Sequence, residues 1–395
     1  MSSPTAPSNA SSGAPSNAGP DRPLSLIDSD VHNGLQSPTE LLPYLSRYWA
    51  EAVRRHGLAI PGAGYSSPVG VQRQDARPVG EEGGPGSSPA FMVKDHLDRY
   101  GIDYALLTGS GMLSLSLHPD PDYANALSSA INEWTAAKWL GFSPRFRGSI
   151  IINHSDPLHA AGEIRKWAGH PQISQVLMAS GTNRLFGQRF FHPIYEAAAE
   201  AGLPVAIHPG SEGAGTAPNI TPAGRPTRYM EWHNILPINY MANVNSLVCE
   251  GVFVKFPALK FVAIEGGIAW LPHLMWRMDK NYKALRSQTP WLSELPSHYI
   301  RQHLYVTTQP IEEPENPQHI LQIFEMIGAP GRILFSSDYP HWDFDNPRMA
   351  LPPLGREWKE RILWRNASEL YNLKAPATPA VSEVPATGSA SAKTA

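Results

Sequence analysis

The sequence predicts a (β/α)8 barrel, and three observations predict it. Eight short runs nearly continuous in Val, Ile, Leu and Ala recur along the chain, the pattern of parallel strands covered on both faces. Stretches with apolar residues at three- and four-residue spacing lie between them, and the best of these end in Gly, as a helix C-terminus prefers. Titratable side chains follow several runs directly, at the strand ends where such a barrel assembles its site. The competing architecture is an open doubly wound sheet. It requires a Gly-rich phosphate turn after the first strand, and LSLIDSD is followed by none.

The elements follow in order. Residues 1–22 and 374–395 are mostly Ser, Pro, Ala, Gly and other small or polar residues without apolar periodicity. Such segments bury too little to offset their ordering entropy, so both are expected to be disordered tails around a barrel domain at 23–373. The strands are expected at 24–30, 103–109, 147–154, 174–180, 203–210, 259–267, 304–310 and 332–341. Helices are expected at 38–57, 122–141, 157–169 and 192–202. Two Gly- and Pro-bearing excursions, 60–90 after the first strand and 211–236 after the fifth, are candidate lids or substrate walls, with simple surface insertions as the alternative for each.

Bulk properties exclude several partners. The net charge of −3 offers no basic footprint for nucleic acid or an anionic membrane. One cysteine, Cys249, forms no internal disulfide. No run of apolar residues is long enough to span a bilayer, and the first residues lack the pattern of a secretory signal. The expectation is a soluble cytoplasmic protein acting on a small molecule.

The strand ends carry the chemistry. The first run finishes in Asp28, Asp30 and His32, and alternation sets Asp30 and His32 on one face of the strand. The third ends in His154, the fifth in His208, the sixth in Glu265 and the eighth in Asp338 with His341 beyond it. Asp30, His32, His208 and Asp338 form a two-imidazole, two-carboxylate set that suits one divalent ion. Zn²⁺ is the first expectation, and Mn²⁺ or Fe²⁺ also accept such donors. His154 is a substrate-binding candidate, although INHSDP also reads as a helix start capped by Ser155 or Asp156. His341 and Trp342 are further substrate-binding candidates, with Trp232 and Trp270 as other rings near strand ends. His233 and His303 have no comparable placement and read as structural.

IDSDVH, PVAIHPG, FVAIEGG with WLPHLMWRMD, and LFSSDYPHWD occur in that order, and together they resemble the amidohydrolase-related family that includes aminocarboxymuconate-semialdehyde decarboxylase. The likeness spans residues 24–372. It implies a (β/α)8 barrel with one divalent metal held by Asp30, His32, His208 and Asp338, and a tendency to form dimers. It also implies either decarboxylation of unsaturated or aromatic acids, or hydrolysis of C–N, C–O or C–C bonds. Two departures stand out. The first strand carries Asp-x-His where the family's decarboxylases carry His-x-His or Glu-x-His. The sixth carries Glu265-Gly266-Gly267 where they carry a His-Gly-Gly-like turn. The fourth run, SQVLMAS, has no Lys to bridge two metals, so one ion is expected.

A bound divalent ion lowers the pKa of its water toward about 7, and a neighbouring group must then move the proton. Asp338 is the first candidate and Glu265 the second; Glu265 as a structural carboxylate paired with an Arg or a Trp N–H is the alternative. Three carboxylates around one dication disfavour a carboxylate substrate unless a cation stands nearby, and Arg184 or Arg189 in TNRLFGQRF is the candidate. On this charge argument the first expectation is hydrolysis of a small cyclic or aromatic amide, ester or lactone. Decarboxylation of an aromatic or unsaturated acid is the alternative, and an inactive barrel that only binds its ligand is the second alternative.

Overall fold

A computed structural model of the chain describes residues 24–374, apart from 63–64 and 329. The expected tails therefore lie outside the described residues, except for Lys374, whose carbonyl accepts from the Tyr104 hydroxyl at 3.2 Å.

All eight expected strands form. They are β1 (Ile27–Val31), β2 (Tyr104–Leu107), β3 (Phe146–Ile151), β4 (Ile173–Ala179), β5 (Val205–His208), β6 (Phe261–Ala263), β7 (Leu304–Thr307) and β8 (Ile333–Leu334). Each pairs in parallel with the next, in the order β1 to β8. The seam between β8 and β1 is closed by Ser29 N donating to Phe335 O at 2.9 Å, and by His32 N donating to Tyr339 O at 2.7 Å. Branched and aliphatic side chains fill the core: Ile27, Leu106, Ile150, Val176, Ile207 and Val262 are all fully buried. The run expected as the eighth strand is mostly not strand, because after Leu334 the chain turns to carry Ser337 and Asp338 across the barrel mouth.

The helices obey the apolar periodicity, with one correction. The expected helix 38–57 is two elements, a 3-10 helix Pro38–Tyr44 and an α-helix Arg47–His56. Pro43 offers no N–H to continue the first, and Ser46 restarts the second by accepting from Trp49 N. The others are Pro121–Trp134 running on into π-helical turns at Thr135–Leu140, then Pro157–Trp167 and His192–Ala201. Among the described residues no helix is long and apolar enough to cross a membrane.

The two excursions meet over the mouth. Ser66 N donates to Thr227 O at 2.8 Å and Tyr229 N donates to Ser66 O at 3.2 Å. Tyr65, Ile220, Tyr229, Trp232 and Leu236 pack together there as a satellite cluster apart from the main core. The first excursion is also tied to the β8 turn, since Arg73 N donates to Pro340 O at 2.9 Å.

Candidate metal centre

Asp30, His32, His208, Glu265 and Asp338 converge, each buried, with donor atoms all within 4.8 Å of one another. They come from the ends of β1, β5, β6 and β8, far apart in sequence and adjacent only because the barrel closes. The register of β1 against β2 shifts between Asp28 and Val31, a local irregularity of the kind that re-aims side chains beside sites.

The imidazoles are set as metal ligands are. His32 Nδ1 lies 2.5 Å from Gly109 O and His208 Nδ1 lies 2.9 Å from Pro209 O. A carbonyl can only accept, so both rings donate from Nδ1 and turn Nε2 to the centre, the orientation in which a metal-ligating imidazole is held. His208 Nε2 lies 3.2 Å from Asp30 Oδ2 and 3.5 Å from Glu265 Oε2. His32 Nε2 lies 2.8 Å from Asp338 Oδ1, yet neither atom makes a hydrogen bond of acceptable geometry. Two buried donors that approach without bonding share a target between them. The residues present therefore fit a divalent cation.

Charge at this point tells the same story. Burial alone would raise Asp30, but the two imidazoles and the Thr108 hydroxyl, which donates to Oδ1 at 2.6 Å, hold it down at about 2. Burial would lower His32, but Asp30 and Asp338 drive it up to about 10. Asp338 is pushed above the usual carboxylate range by burial, against the pull of His32. The carboxylates thus create a strong attraction for positive charge at the barrel mouth.

Two of the five sit in the left-handed region, where non-glycine residues are uncommon: Glu265 at φ 56° and Asp338 at φ 57°. Each is held by its surroundings. Asp338 N donates to Asp30 O, and the preceding Ser337 is clamped by Asp28, which accepts from Ser337 N at 2.9 Å and Oγ at 2.6 Å. Asp28 also takes His96 Nε2 at 2.8 Å, so it braces β1 against the β8 turn and does not join the centre. Glu265 N donates to Thr307 Oγ1, and the following turn is fixed by Glu312, whose carboxylate accepts from Ile268 N and Ala269 N at 3.0 Å. Gly267, at φ 69°, has no room for a side chain: a Cβ would stand 2.6 Å from Glu312 Oε1. Trp270 donates its indole N–H to the Gly266 and Gly267 carbonyls and stays out of the pocket.

The remaining candidates divide. His341 belongs to the site, with Nδ1 2.8 Å from Asp338 Oδ2 and its ring 4.2 Å from that of His32. Burial, then the charge of His32, hold it down at about 3. Trp342 is 57 % exposed and stands at the outer rim, its indole N–H donating to Tyr229 Oη at 3.3 Å. His154 does not reach the cavity; its ring packs edge-on against Phe186 and Phe191 because the turn after β3 directs it between barrel and helices. Arg184 and Arg189 are exposed, Arg184 over the Phe190 ring, because the segment after β4 runs outward. Neither lines the cavity. His303 is structural, bonded to Leu259 O and stacked on Phe253. His233 is not. Its Nε2 lies 3.4 Å from Glu265 Oε1 and 3.4 Å from Asp343 Oδ2. The sequence offered no signal for either residue, since His233 ends a short helix within the second excursion and Asp343 lies in a turn past the eighth strand. Asp343 is pushed up to about 7 by burial and by the charges of Asp338 and Glu265.

A cavity of about 300 Å³ opens over the cluster. His32, His208, Glu265 and His341 contribute to its lining, with Tyr65, Tyr229 and Trp232 as rings and Gln72, Ser110 and Ser114 as polar groups. Both excursions thus contribute to the walls of this cavity.

The chain is similar in structure to 5-carboxyvanillate decarboxylase from Sphingomonas paucimobilis, at 22 % identity and a TM-score of 0.62 over 89 % of this chain and 100 % of that one. It is similar to 2,6-dihydroxybenzoate decarboxylase from Rhizobium, at 18 % identity and a TM-score of 0.61 over 89 % and 99 %. A third similar structure is 5-carboxyvanillate decarboxylase from Novosphingobium aromaticivorans, complexed with manganese and 4-hydroxy-3-methoxy-5-nitrobenzoic acid. It shares 21 % identity and a TM-score of 0.66 over 90 % and 98 %. The amidohydrolase family model matches residues 44–373, a span that includes His208, Glu265 and Asp338 and begins after Asp30 and His32. A match over most of the chain, on a barrel whose strand ends gather a buried cluster fit for a divalent ion, shows that this protein belongs to the amidohydrolase family of metal-dependent enzymes.

Proposed function

We propose that this enzyme is a metal-dependent, non-oxidative decarboxylase of a small aromatic acid. The cavity carries the reading. Its volume of about 300 Å³ is at the small end for ligand sites, room for one substituted ring and little more. Tyr65, Tyr229 and Trp232 offer ring faces and edges for a planar substrate, and Gln72, Ser110 and Ser114 offer partners for ring hydroxyls. Similar structures whose named activity is decarboxylation of hydroxylated benzoic acids support it. Decarboxylation therefore replaces hydrolysis as the first reading.

When bound, a divalent ion supplies the positive charge that holds substrate oxygens and acidifies bound water. Asp338 is the proton donor in this scheme: it is fully buried, raised by burial, and touches His341 on the cavity side. As the bond between ring and carboxylate breaks, its electron pair passes to the ring carbon. The Asp338 proton forms the new C–H bond and carbon dioxide leaves. His341 stands where a proton from solvent can be returned to Asp338. The aromatic wall orients the ring and keeps water from it.

One observation favours hydrolysis as the second reading. No Arg or Lys is among the described residues lining the cavity, which suits a neutral amide, ester or lactone. An inactive binding barrel is disfavoured by the complete set of donors. The test is incubation of metal-loaded enzyme with a panel of hydroxylated benzoic acids and a panel of aromatic amides, esters and lactones. Carbon dioxide release from an aryl acid is expected. Acid or amine release from a neutral compound, with no carbon dioxide from any acid, would overturn the proposal.

A further inference from the structure

We propose that the centre has a second cation position, formed by His233, Asp343 and Glu265, with the Glu265 carboxylate bridging two metal ions. The inference is independent of which reaction the enzyme catalyses.

Glu265 carries the geometry. Its two carboxylate oxygens face different partners: Oε2 lies 3.5 Å from His208 Nε2, inside the first cluster, and Oε1 lies 3.4 Å from His233 Nε2, outside it. His233 Nε2 is in turn 3.4 Å from Asp343 Oδ2, and one donor atom from each of the three lies within 4.8 Å of the others. These separations are too long for charge-assisted hydrogen bonds, which fall at about 2.7–2.9 Å. They match the edge of a tetrahedron whose centre stands about 2.1 Å from each donor, the usual length of a Zn–N or Zn–O bond. His233 Nε2 and both Asp343 carboxylate oxygens are buried and have no hydrogen-bond partner among the described residues.

The charge count points the same way. Asp30, Asp338 and Glu265 face the first position and Asp343 the second, and among the described residues no Arg or Lys lines the cavity beside them. Each position thus has carboxyl groups of its own to face a dication. Buried charges are retained where they are paired or coordinate metals. The elements that supply the second position are also local to it: His233 ends the short helix Tyr229–His233, and Asp343 follows the β8 turn that delivers Asp338. The bridge differs from the Lys-mediated one excluded by SQVLMAS. It uses the carboxylate that stands in the sixth-strand turn in place of an imidazole.

The experiment is metal stoichiometry on the full-length protein, stripped with chelator and reloaded with Mn²⁺, measured by elemental analysis and by electron paramagnetic resonance. Wild type is expected to take two equivalents and to show the exchange-coupled spectrum of a bridged pair. His233→Ala and Asp343→Asn are each expected to take one and show an isolated ion, with circular dichroism unchanged. Wild-type saturation at one equivalent overturns the second position alone. Saturation at none overturns the first centre as well. A second equivalent that survives both substitutions lies elsewhere and also overturns the proposal. The wild-type result decides the matter even if a variant fails to fold.

Discussion

At the scale of single residues, the centre depends on groups that aim its donors. Thr108 fixes one oxygen of Asp30 at 2.6 Å and leaves the other toward His208. Thr108→Val keeps the shape and removes that hydrogen bond. It should weaken metal affinity by about 10–100-fold, read by competition against a calibrated chelator, with little change in fold. His154 has a different consequence. Burial holds its pKa at about 4, against 6.5 for an exposed imidazole. The folded protein refuses a proton that the unfolded chain accepts, so stability is lost as pH falls from 6.5 through 4. The loss from this one group reaches about 3 kcal/mol. Denaturant midpoints between pH 7 and pH 4 should fall steeply in wild type and less steeply in His154→Gln. Asp30, His32, His208, Glu265 and Asp338 were legible in the sequence because each directly follows an apolar run, and barrel geometry brings such positions together. His233 and Asp343 were not. One lies in a long excursion and the other past a tight turn, where neither period nor spacing reports position.

At the scale of elements, the turn after β6 shows how a strained backbone is held. Glu265 at φ 56° and Gly267 at φ 69° follow each other closely, and Glu312 accepts from the two backbone N–H groups beyond them. A methyl group at Gly267 would both occupy a left-handed conformation and strike Glu312. Gly267→Ala should therefore cost about 1–2 kcal/mol from conformation alone, and more from the displaced carboxylate. Thermal unfolding of the metal-free protein checks the first effect. Chelator competition checks whether Glu265 has moved, with weakened binding as the expected result. The strands were readable because burial on both faces leaves an apolar run whatever lies around it. The split of 38–57 was less so: Pro43 and Ser46 sit inside an apolar pattern that continues across the break. The excursions were readable as walls, but their pairing through Ser66 and Arg228 was not, because long-range backbone contacts leave no trace in local composition.

At the scale of the whole molecule, eight strands supply a frame whose open end collects negative charge. A cation bound there stabilises the folded state alone, because the unfolded chain scatters its ligands over more than 300 residues, from Asp30 to Asp338. At an ion concentration 100 times its dissociation constant the gain is about 2.7 kcal/mol. Chelation should therefore lower the unfolding temperature by several degrees, and Mn²⁺ or Zn²⁺ should restore it. The most direct measurement is anomalous diffraction from crystals of the full chain grown with Mn²⁺. The expected result is an anomalous peak about 2.0–2.2 Å from His32 Nε2, His208 Nε2 and oxygens of Asp30 and Asp338. A protein that binds the ion with its peak elsewhere, or with those four side chains turned away from it, would contradict the account.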